Sequence, residues 1–342
     1  MSRARQVFVE APARLHFGML DLGGSFGRRF GGIGASVPVP SVLVSAVQAP
    51  ALSVHAGAQI ELDDAAQELI GAAHDAARRV LSHYGVAGSA ARVTVHRTIP
   101  AHRGLGSGTQ VALAVARAVA ELYDLPRDAT ELARATGRAR RSAIGTYVFA
   151  HGGFIVEGGR RPGNDQPAPL LVRIPIPPDW RCVLVIPAAP PGVSGDAETM
   201  AFASLPAPPP AEAAHVSHLT LMALLPALAE HDFGGFAAAL TEIQRINGSW
   251  FASAQGGPFS AGAPAALIAA LLAAGATGVG QSSWGPAVYA LAPDEPSGAA
   301  LASSMRDRPE LYPQRAAAPG ALPGVVYEGP FSNSGARVWD EN

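Results

Sequence analysis

Residues 99–122 read IPAHRGLGSGTQVALAVARAVAEL: a strand end, a glycine-rich loop and a helix built from small side chains. Gly104, Gly106 and Gly108 let backbone N–H groups converge without a Cβ in the way, and a helix N-terminus adds roughly half a positive charge facing an anion. Leu105 falls within this loop, and Ser107 and Thr109 bring hydroxyls able to bind phosphate or a phosphate-bound Mg2+. Arg103 precedes the loop with a guanidinium fork suited to phosphate. His102 beside it reads equally well as a solvated loop residue. The spacing is not a Walker A loop, which needs Gly-Lys-Ser/Thr, nor a clean dinucleotide fingerprint. Taken alone it describes either a phosphate cradle or a tight turn that lets the following helix pack closely.

Other residues carry chemistry of the same kind. GRARRS places Arg138, Arg140 and Arg141 in four positions, and SFGRRF places Arg28 and Arg29 on a glycine-dense stretch; each is a phosphate ligand or a surface charge. In MLDLGG, Asp21 is the carboxylate in the most constrained setting, fit to face a developing positive charge, to hold Mg2+ or merely to brace its own turn. His16 stands in the strand leading to it. QSSWGP offers Ser282 and Ser283 as hydroxyl donors and Trp284 as a stacking surface for an aromatic ring. The segment 245–259, RINGSWFASAQGGPF, is polar enough to line a cleft, with Asn247 its candidate. Glu157 reads as a solvated strand-end residue and Cys182, in RCVLVIP, as a core cysteine.

The chain has 342 residues, 48% of them apolar, and a formal net charge of -2, so nothing in its charge favours nucleic acid or an anionic membrane. All 25 Lys+Arg residues are arginine. A single cysteine excludes an intramolecular disulfide and argues against a cysteine zinc site. The N-terminus lacks the apolar run of a secretory signal, and no window is long and apolar enough to span a bilayer, so the expected location is cytoplasmic. Alternation around Pro12 predicts a strand bent at the proline, followed by a glycine loop over 21–36 and strands at SVLVSAV and ALSVHA. Helices are expected over 63–85, 109–123, from Asp128 or Thr130, through 211–245 in pieces and over 263–276. Residues 142–159 read as a loop with paired strands. A domain boundary is expected near 160–170, since single cores stop growing near 250–300 residues.

The loop Pro100-AHRGLGSGT, with APARLHFGMLDLGG near the start and GATGVGQSSWGPAVYAL near the end, resembles the GHMP kinase superfamily from end to end. That resemblance implies an α+β, GHMP-kinase-like two-domain architecture. Residues 1–165 would form a ribosomal-protein-S5-domain-2-like domain carrying the phosphate loop, and 166–342 a ferredoxin-like α/β sandwich. Within the superfamily, RLHFGMLDLGGSFGRRFGGIGAS, GRARRSAIGTYVFAHGGFIVEGG and GQSSWGPAVYAL resemble the β-ribofuranosylaminobenzene 5′-phosphate synthase branch more than any kinase. A kinase of this type is expected to place an aspartate base in the segment after the second helix, often beside Lys or Arg. Residues 137–159 contain no Asp, and the chain contains no Lys.

The branch resemblance implies decarboxylating phosphoribosyl transfer from phosphoribosyl pyrophosphate to 4-aminobenzoate or 4-hydroxybenzoate, in the making of methanopterin-type cofactors. It implies Mg2+ and no ATP requirement, with small-molecule partners, no nucleic acid, no membrane, and a homodimer as one open state of assembly. Under it, residues 103–109 hold pyrophosphate with help from Arg28 and Arg29 or Arg138, Arg140 and Arg141. Asp21 is the catalytic carboxylate, Ser107 and Asp21 are the candidate metal ligands, and His16, Ser282, Ser283 and Trp284 face the aromatic acid. An ATP-dependent small-molecule kinase is the alternative.

Overall fold

The computed structural model describes residues 5–86, 88–190, 192, 195–312 and 324–341. Strand β1 (Gln6–Asp21) runs antiparallel to β2 (Phe30–Gln48), and register shifts at Pro12/Ala13 and His16/Gly18 bend it twice. The first bend falls at the expected proline; the second lies under the candidate site. β3 (Ser53–Ala56) and helix α1 (Asp64–His83) follow, the helix capped by the Asp63 carboxylate on the Ala66 N–H at 2.7 Å. β4 (Ala91–Arg97) then leads through the glycine loop into α2 (Ser107–Leu122). Nearly every residue of α2 is buried, because small side chains let it sit between the sheet, α1 and a later helix. Next come α3 (Ala129–Ala135), capped by Asp128, then α4 (Ile144–His151) and β5 (Phe154–Glu157).

Two local expectations change. The glycine-dense stretch is a loop only up to Arg29; Phe30–Ser36 is the start of β2. Gly32 and Gly34 there serve packing rather than turning: a Cβ on Gly34 would lie 2.4 Å from the Leu15 carbonyl and 2.5 Å from Ile144. That close approach is made by α4, where paired strands were expected. Ile, Tyr, Val and Phe favour strands on an exposed surface, but here they are buried against α2 and the sheet, and burial overrides propensity.

β6 (Leu170–Ile174) pairs with β5 and so belongs to the first sheet. β7 (Arg181–Ile186) opens the second sheet. A helical run follows: α5 (Gly195–Ser204), α6 (Pro210–Leu219), a π turn at Thr220–Leu224, α7 (Leu225–Ala229) and α8 (Phe233–Gln255). After α9 (Ala263–Ala273) come β8 (Thr277–Gln281), β9 (Val288–Ala292), α10 (Glu295–Arg306), β10 (Val325–Pro330) and β11 (Arg337–Glu341).

The first sheet has seven strands, with β11-β1-β2-β4-β3 as its main path and β5 and β6 beside β2; the second has the order β10-β7-β9-β8. The expected division at 165/166 is therefore too simple. β6 and β11, both from the C-terminal half, complete the first sheet, and Trp339 of β11 stacks on Phe8 at 5.4 Å. An aromatic column ties the two sheets together: Phe17 of β1 meets Tyr289 of β9 at 5.0 Å and Phe154 of β5 at 6.3 Å. Each such buried ring contributes about 2 to 3 kcal/mol of apolar burial, so the sheets share one core across their junction. Cys182 is buried in that core and its thiol is pushed up by burial, as expected of an inert cysteine.

Candidate active site

Three chain segments that are far apart in sequence meet at the head of α2. Gly104 and Gly106 take left-handed φ values of 80° and 81°, turning the loop so that Ser107 opens the helix. The N–H groups of Ser107 and Gly108 lie in the first turn, ahead of any intrahelical acceptor, and are left to donate to an anion. A Cβ on Gly104 would fall 2.0 Å from the Ser282 carbonyl, and one on Gly285 2.0 Å from the Gly104 N–H. The two loops thus pack backbone on backbone, and Ala287 N–H donates to the Arg103 carbonyl at 3.2 Å.

Ser282 is the keystone of this contact. Its hydroxyl donates to the Gly104 carbonyl at 2.6 Å and accepts the His16 N–H at 3.0 Å, and the residue is fully buried. It was expected to touch the aromatic substrate. Instead its hydroxyl is spent on positioning the loop against β1.

Arg14, part of the APARLHFGMLDLGG motif but not singled out within it, also belongs here. Its guanidinium donates to the Gly104 carbonyl, and its backbone N–H donates to the Leu105 carbonyl at 3.1 Å. Burial lowers its pKa to about 10, with the Glu198 carboxylate opposing, so it stays a cation at neutral pH. Arg103 donates to the Ala189 carbonyl, and burial lowers its pKa as well. Arg138 lies on the first turn of α2: a Cβ on Gly108 would sit 3.3 Å from its Nη1. Arg141 is committed elsewhere, paired with Glu198 at 2.5 Å and stacked over Phe202 at 5.0 Å. Arg28 donates to the Gly159 carbonyl at 3.1 Å, and Arg29 donates to the Leu22 carbonyl at 3.3 Å and lies over Phe30. His102 pairs with Glu68 at 2.8 Å.

Asp21 braces its own loop: its two carboxylate oxygens accept the Gly24 and Ser25 N–H groups, each at 2.8 Å. Among the described residues no three His, Cys, Asp or Glu side chains come together as a metal cage. The Ser107 hydroxyl has no side-chain hydrogen bond among the described residues, so one oxygen ligand is free at the loop.

Beside the loop, a cleft opens between the second bend of β1, helix α8 and the β8–β9 turn. His16, Met19, Asn247, Phe251, Phe259, Ser283 and Trp284 line it, giving apolar walls with a few polar groups. Segment 245–259 thus does line a cleft. Asn247 clamps the bend rather than projecting freely: its Oδ1 accepts the Met19 N–H at 2.6 Å and its Nδ2 donates to the Met19 carbonyl at 3.2 Å. Gln244, one turn earlier on α8, donates to the Phe17 carbonyl and accepts the Gln281 N–H at 3.1 Å. Trp284 packs on Phe202 at 5.2 Å and Phe251 at 5.4 Å, and its indole N–H has no partner among the described residues.

Behind His16 lies a buried polar chain. His16 Nε2 is 3.3 Å from the Ser142 hydroxyl, which also holds the Glu157 carboxyl. Glu157 is fully buried rather than solvated at a strand end, and accepts the Gly159 N–H at 2.8 Å and the Ala143 N–H at 3.4 Å. Burial pushes it up to about 7 against those donors. Burial, helped by Arg14, pushes His16 down to about 3, so its imidazole is neutral at physiological pH.

Known proteins share both the sequence and the fold. The description "GHMP kinases N terminal domain" matches residues 69–153, and "GHMP kinases C terminal" matches 224–311. The β-ribofuranosylphenol 5′-phosphate synthase of Methanothermobacter thermautotrophicus is 33% identical over 306 residues, which is 86% of this chain and 91% of the relative. The protein of the same name from Archaeoglobus fulgidus is 33% identical over 310 residues, 87% and 91% of the two chains. The chain belongs to the β-ribofuranosylphenol 5′-phosphate synthase family. Solved structures agree on the fold: mevalonate diphosphate decarboxylase from Staphylococcus aureus has a TM-score of 0.65 at 14% identity, covering 98% of each chain. Homoserine kinase from Cytophaga hutchinsonii has a TM-score of 0.64 at 17% identity, covering 99% and 98%. The family thus uses the kinase scaffold for a pentosyltransferase, with the loop and cleft described above as the candidate seat of that chemistry. Among the described residues, no helix is long and apolar enough to cross a membrane.

Proposed function

We propose that the protein transfers a phosphoribosyl group from phosphoribosyl pyrophosphate to the carboxyl-bearing carbon of 4-hydroxybenzoate or 4-aminobenzoate. The relatives' name, a ribofuranosylphenol phosphate synthase, favours the hydroxy acid. The observation that carries the reading is the Ser282 hydroxyl, which joins the anion loop at Gly104 to the aromatic-lined cleft at His16. A phosphate-bearing donor and a flat acceptor bound in these two places would share one wall.

The bonds balance without an external reagent. The ring carbon forms a bond to C1 of the ribose while the C1–oxygen bond to pyrophosphate breaks. The ring–carboxylate bond then breaks, its electron pair restores the aromatic ring, and CO2 departs. Pyrophosphate departure leaves negative charge at the loop, where the first-turn N–H groups of α2 and the Arg14, Arg103 and Arg138 guanidiniums would stabilise it. Fixed dipoles and charges of this kind commonly lower a barrier more than any other single effect. Asp21, at the end of β1, is our candidate for facing the positive charge that develops on the sugar. Neutral His16 would present a hydrogen-bonding nitrogen to the acceptor without adding a cation next to that charge. The ring would lie against Phe251, Phe259 and Trp284.

Mg2+ fits the loop in one way. The ion keeps several waters and binds mainly through substrate phosphates, so the Ser107 hydroxyl would suffice as a protein ligand, with Asp21 a second only if it leaves its turn. Bound there, it would neutralise pyrophosphate charge. ATP has no role in this scheme.

Thermal unfolding with each ligand tests the binding half of the reading. Phosphoribosyl pyrophosphate with Mg2+ should raise the melting temperature while ATP with Mg2+ should not, since a ligand stabilises in proportion to its binding. Stabilisation by ATP alone would favour the kinase reading.

A further inference from the structure

On the far side of the phosphate loop, between α1, α2 and the turn after α3, lies a polar cavity of about 250 Å3. Arg79, Arg138 and Arg140 line it, with Ala76, Ala112 and Thr136 forming its floor. The turn at Gly137, with φ of 71°, brings two of the guanidiniums together: a Cβ there would meet Arg79 Nη1 at 3.2 Å and Arg140 Nη2 at 3.4 Å. Arg138 reaches from this cavity to Gly108, so the cavity adjoins the anion end of α2.

No carboxylate among the described residues pairs with the cluster. None of the three guanidiniums makes a hydrogen bond or ion pair among those residues, whereas Arg5, Arg97, Arg117, Arg127, Arg181 and Arg337 are all paired with carboxylates. Asp75, which also lines the cavity, is paired with Arg78 at 3.1 Å, and Glu68 is paired with His102. Three converging cations repel one another, and burial first and then Arg79 and Arg140 lower the Arg138 pKa, with the nearby Glu68 carboxylate opposing. Arg138 is half-buried while Arg79 and Arg140 are exposed at the mouth of the recess, so the unpaired cluster is open to an anion from solvent, and forked guanidiniums match a phosphate group.

We propose that Arg79, Arg138 and Arg140 form a binding pocket for one phosphate-bearing end of the phosphoribosyl donor, continuous with the loop through Arg138. This rests on the donor assigned above and adds Arg79, from a helix that the loop motif does not include. The chemistry is that of a phosphate monoester or a diphosphate, and two probes separate them.

Calorimetric titration of pyrophosphate and of ribose 5-phosphate into the wild type, Arg79→Gln and Arg140→Gln is the test. At least one probe should bind the wild type and lose about tenfold or more in each variant, the scale of one charge-assisted hydrogen bond. Loss of pyrophosphate alone assigns the pocket to the leaving group, and loss of ribose 5-phosphate alone assigns it to the 5′-phosphate. The melting temperature without ligand should hold or rise, because removing one of three repelling cations relieves the cluster. Unchanged binding of both probes, binding of neither by the wild type, or a fall in melting temperature beyond about 5 °C would overturn the pocket. No aromatic acid is present in this experiment. Weakened pyrophosphate binding in an enzyme that releases no CO2 would keep the pocket and remove the proposed reaction.

Discussion

Glu157 and His16, joined through Ser142, set opposite pH dependences on folding, and removing one should expose the other. Glu157 is raised from 4.5 to about 7, first by burial, so its contribution is full below its unfolded value and is lost as pH rises through the folded one. His16 is lowered from 6.5 to about 3, again first by burial, so its contribution is full above 6.5 and is lost as pH falls. Between 4.5 and 6.5 the folded protein carries its proton on Glu157 and the unfolded chain carries it on histidine. The proton counts match and the two slopes cancel. Glu157→Gln removes one slope. The stability of the wild type relative to this variant should fall by about 1.4 kcal/mol per pH unit between about 4.5 and 7, roughly 3 kcal/mol in all. The variant's own stability should climb with pH up to about 6.5, driven by His16 alone. Urea unfolding followed by tryptophan fluorescence at about pH 5, 6, 7 and 8 measures both curves, since the midpoint reports stability when the slope m is unchanged. Two parallel curves would refute the reasoning and place the Glu157 carboxyl in the ordinary range.

Other substitutions test other parts of the site. Gly104→Ala puts a Cβ 2.0 Å from the Ser282 carbonyl at a φ of 80°, and should cost about 2 kcal/mol or more in chemical denaturation while weakening donor binding; unaltered binding would mean the loop contact is not needed. Ser282→Ala leaves the His16 N–H without a partner and the Gly104 carbonyl with Arg14 alone, and should lower stability by about 1 to 3 kcal/mol in the same assay. Asp21→Asn keeps an oxygen for the turn but drops the charge, and should reduce turnover at least about a hundredfold with little change in folding; normal turnover would leave Asp21 as a turn brace only. Ser107→Ala should raise the KM for phosphoribosyl pyrophosphate more than that for the aromatic acid, and the reverse order would move the loop to the other substrate.

The parts of the site carried by consecutive residues were legible in the sequence. The loop at 104–109 needs its glycines, hydroxyls and following helix in one run, and that run is visible; so are the helices that begin after Asp63 and Asp128. What depends on long-range contact was not. Arg14 sits inside the APARLHFGMLDLGG motif without standing out there and Arg79 in a helix with no motif, and only the fold brings them to the loop or its flank. Glu157 looks like a strand-end carboxylate until α4 covers it. That cover in turn needs Gly32 and Gly34 in β2, which the sequence presents as a loop. Ser282 and Ser283 are neighbours of the same chemistry, and only packing distinguishes the buried keystone from the one at the cleft. The signal that would have found Glu157 is the pair of glycines beneath α4, Gly32 facing Glu157 itself and Gly34 facing Ile144, since a strand keeps glycine where another element approaches closely.

One reaction would unite the loop, the cleft and the arginines, and isotope release reads it most directly. Purified protein with Mg2+, phosphoribosyl pyrophosphate and 4-hydroxybenzoate or 4-aminobenzoate labelled in the carboxyl carbon should release labelled CO2. For each CO2 there should be one pyrophosphate and one unlabelled ring-linked ribose 5′-phosphate. The product should resist glycosidic hydrolysis because its ring–sugar bond is carbon to carbon. Full binding of donor and acid with no labelled CO2 and no carbon-linked product from either acid would contradict it.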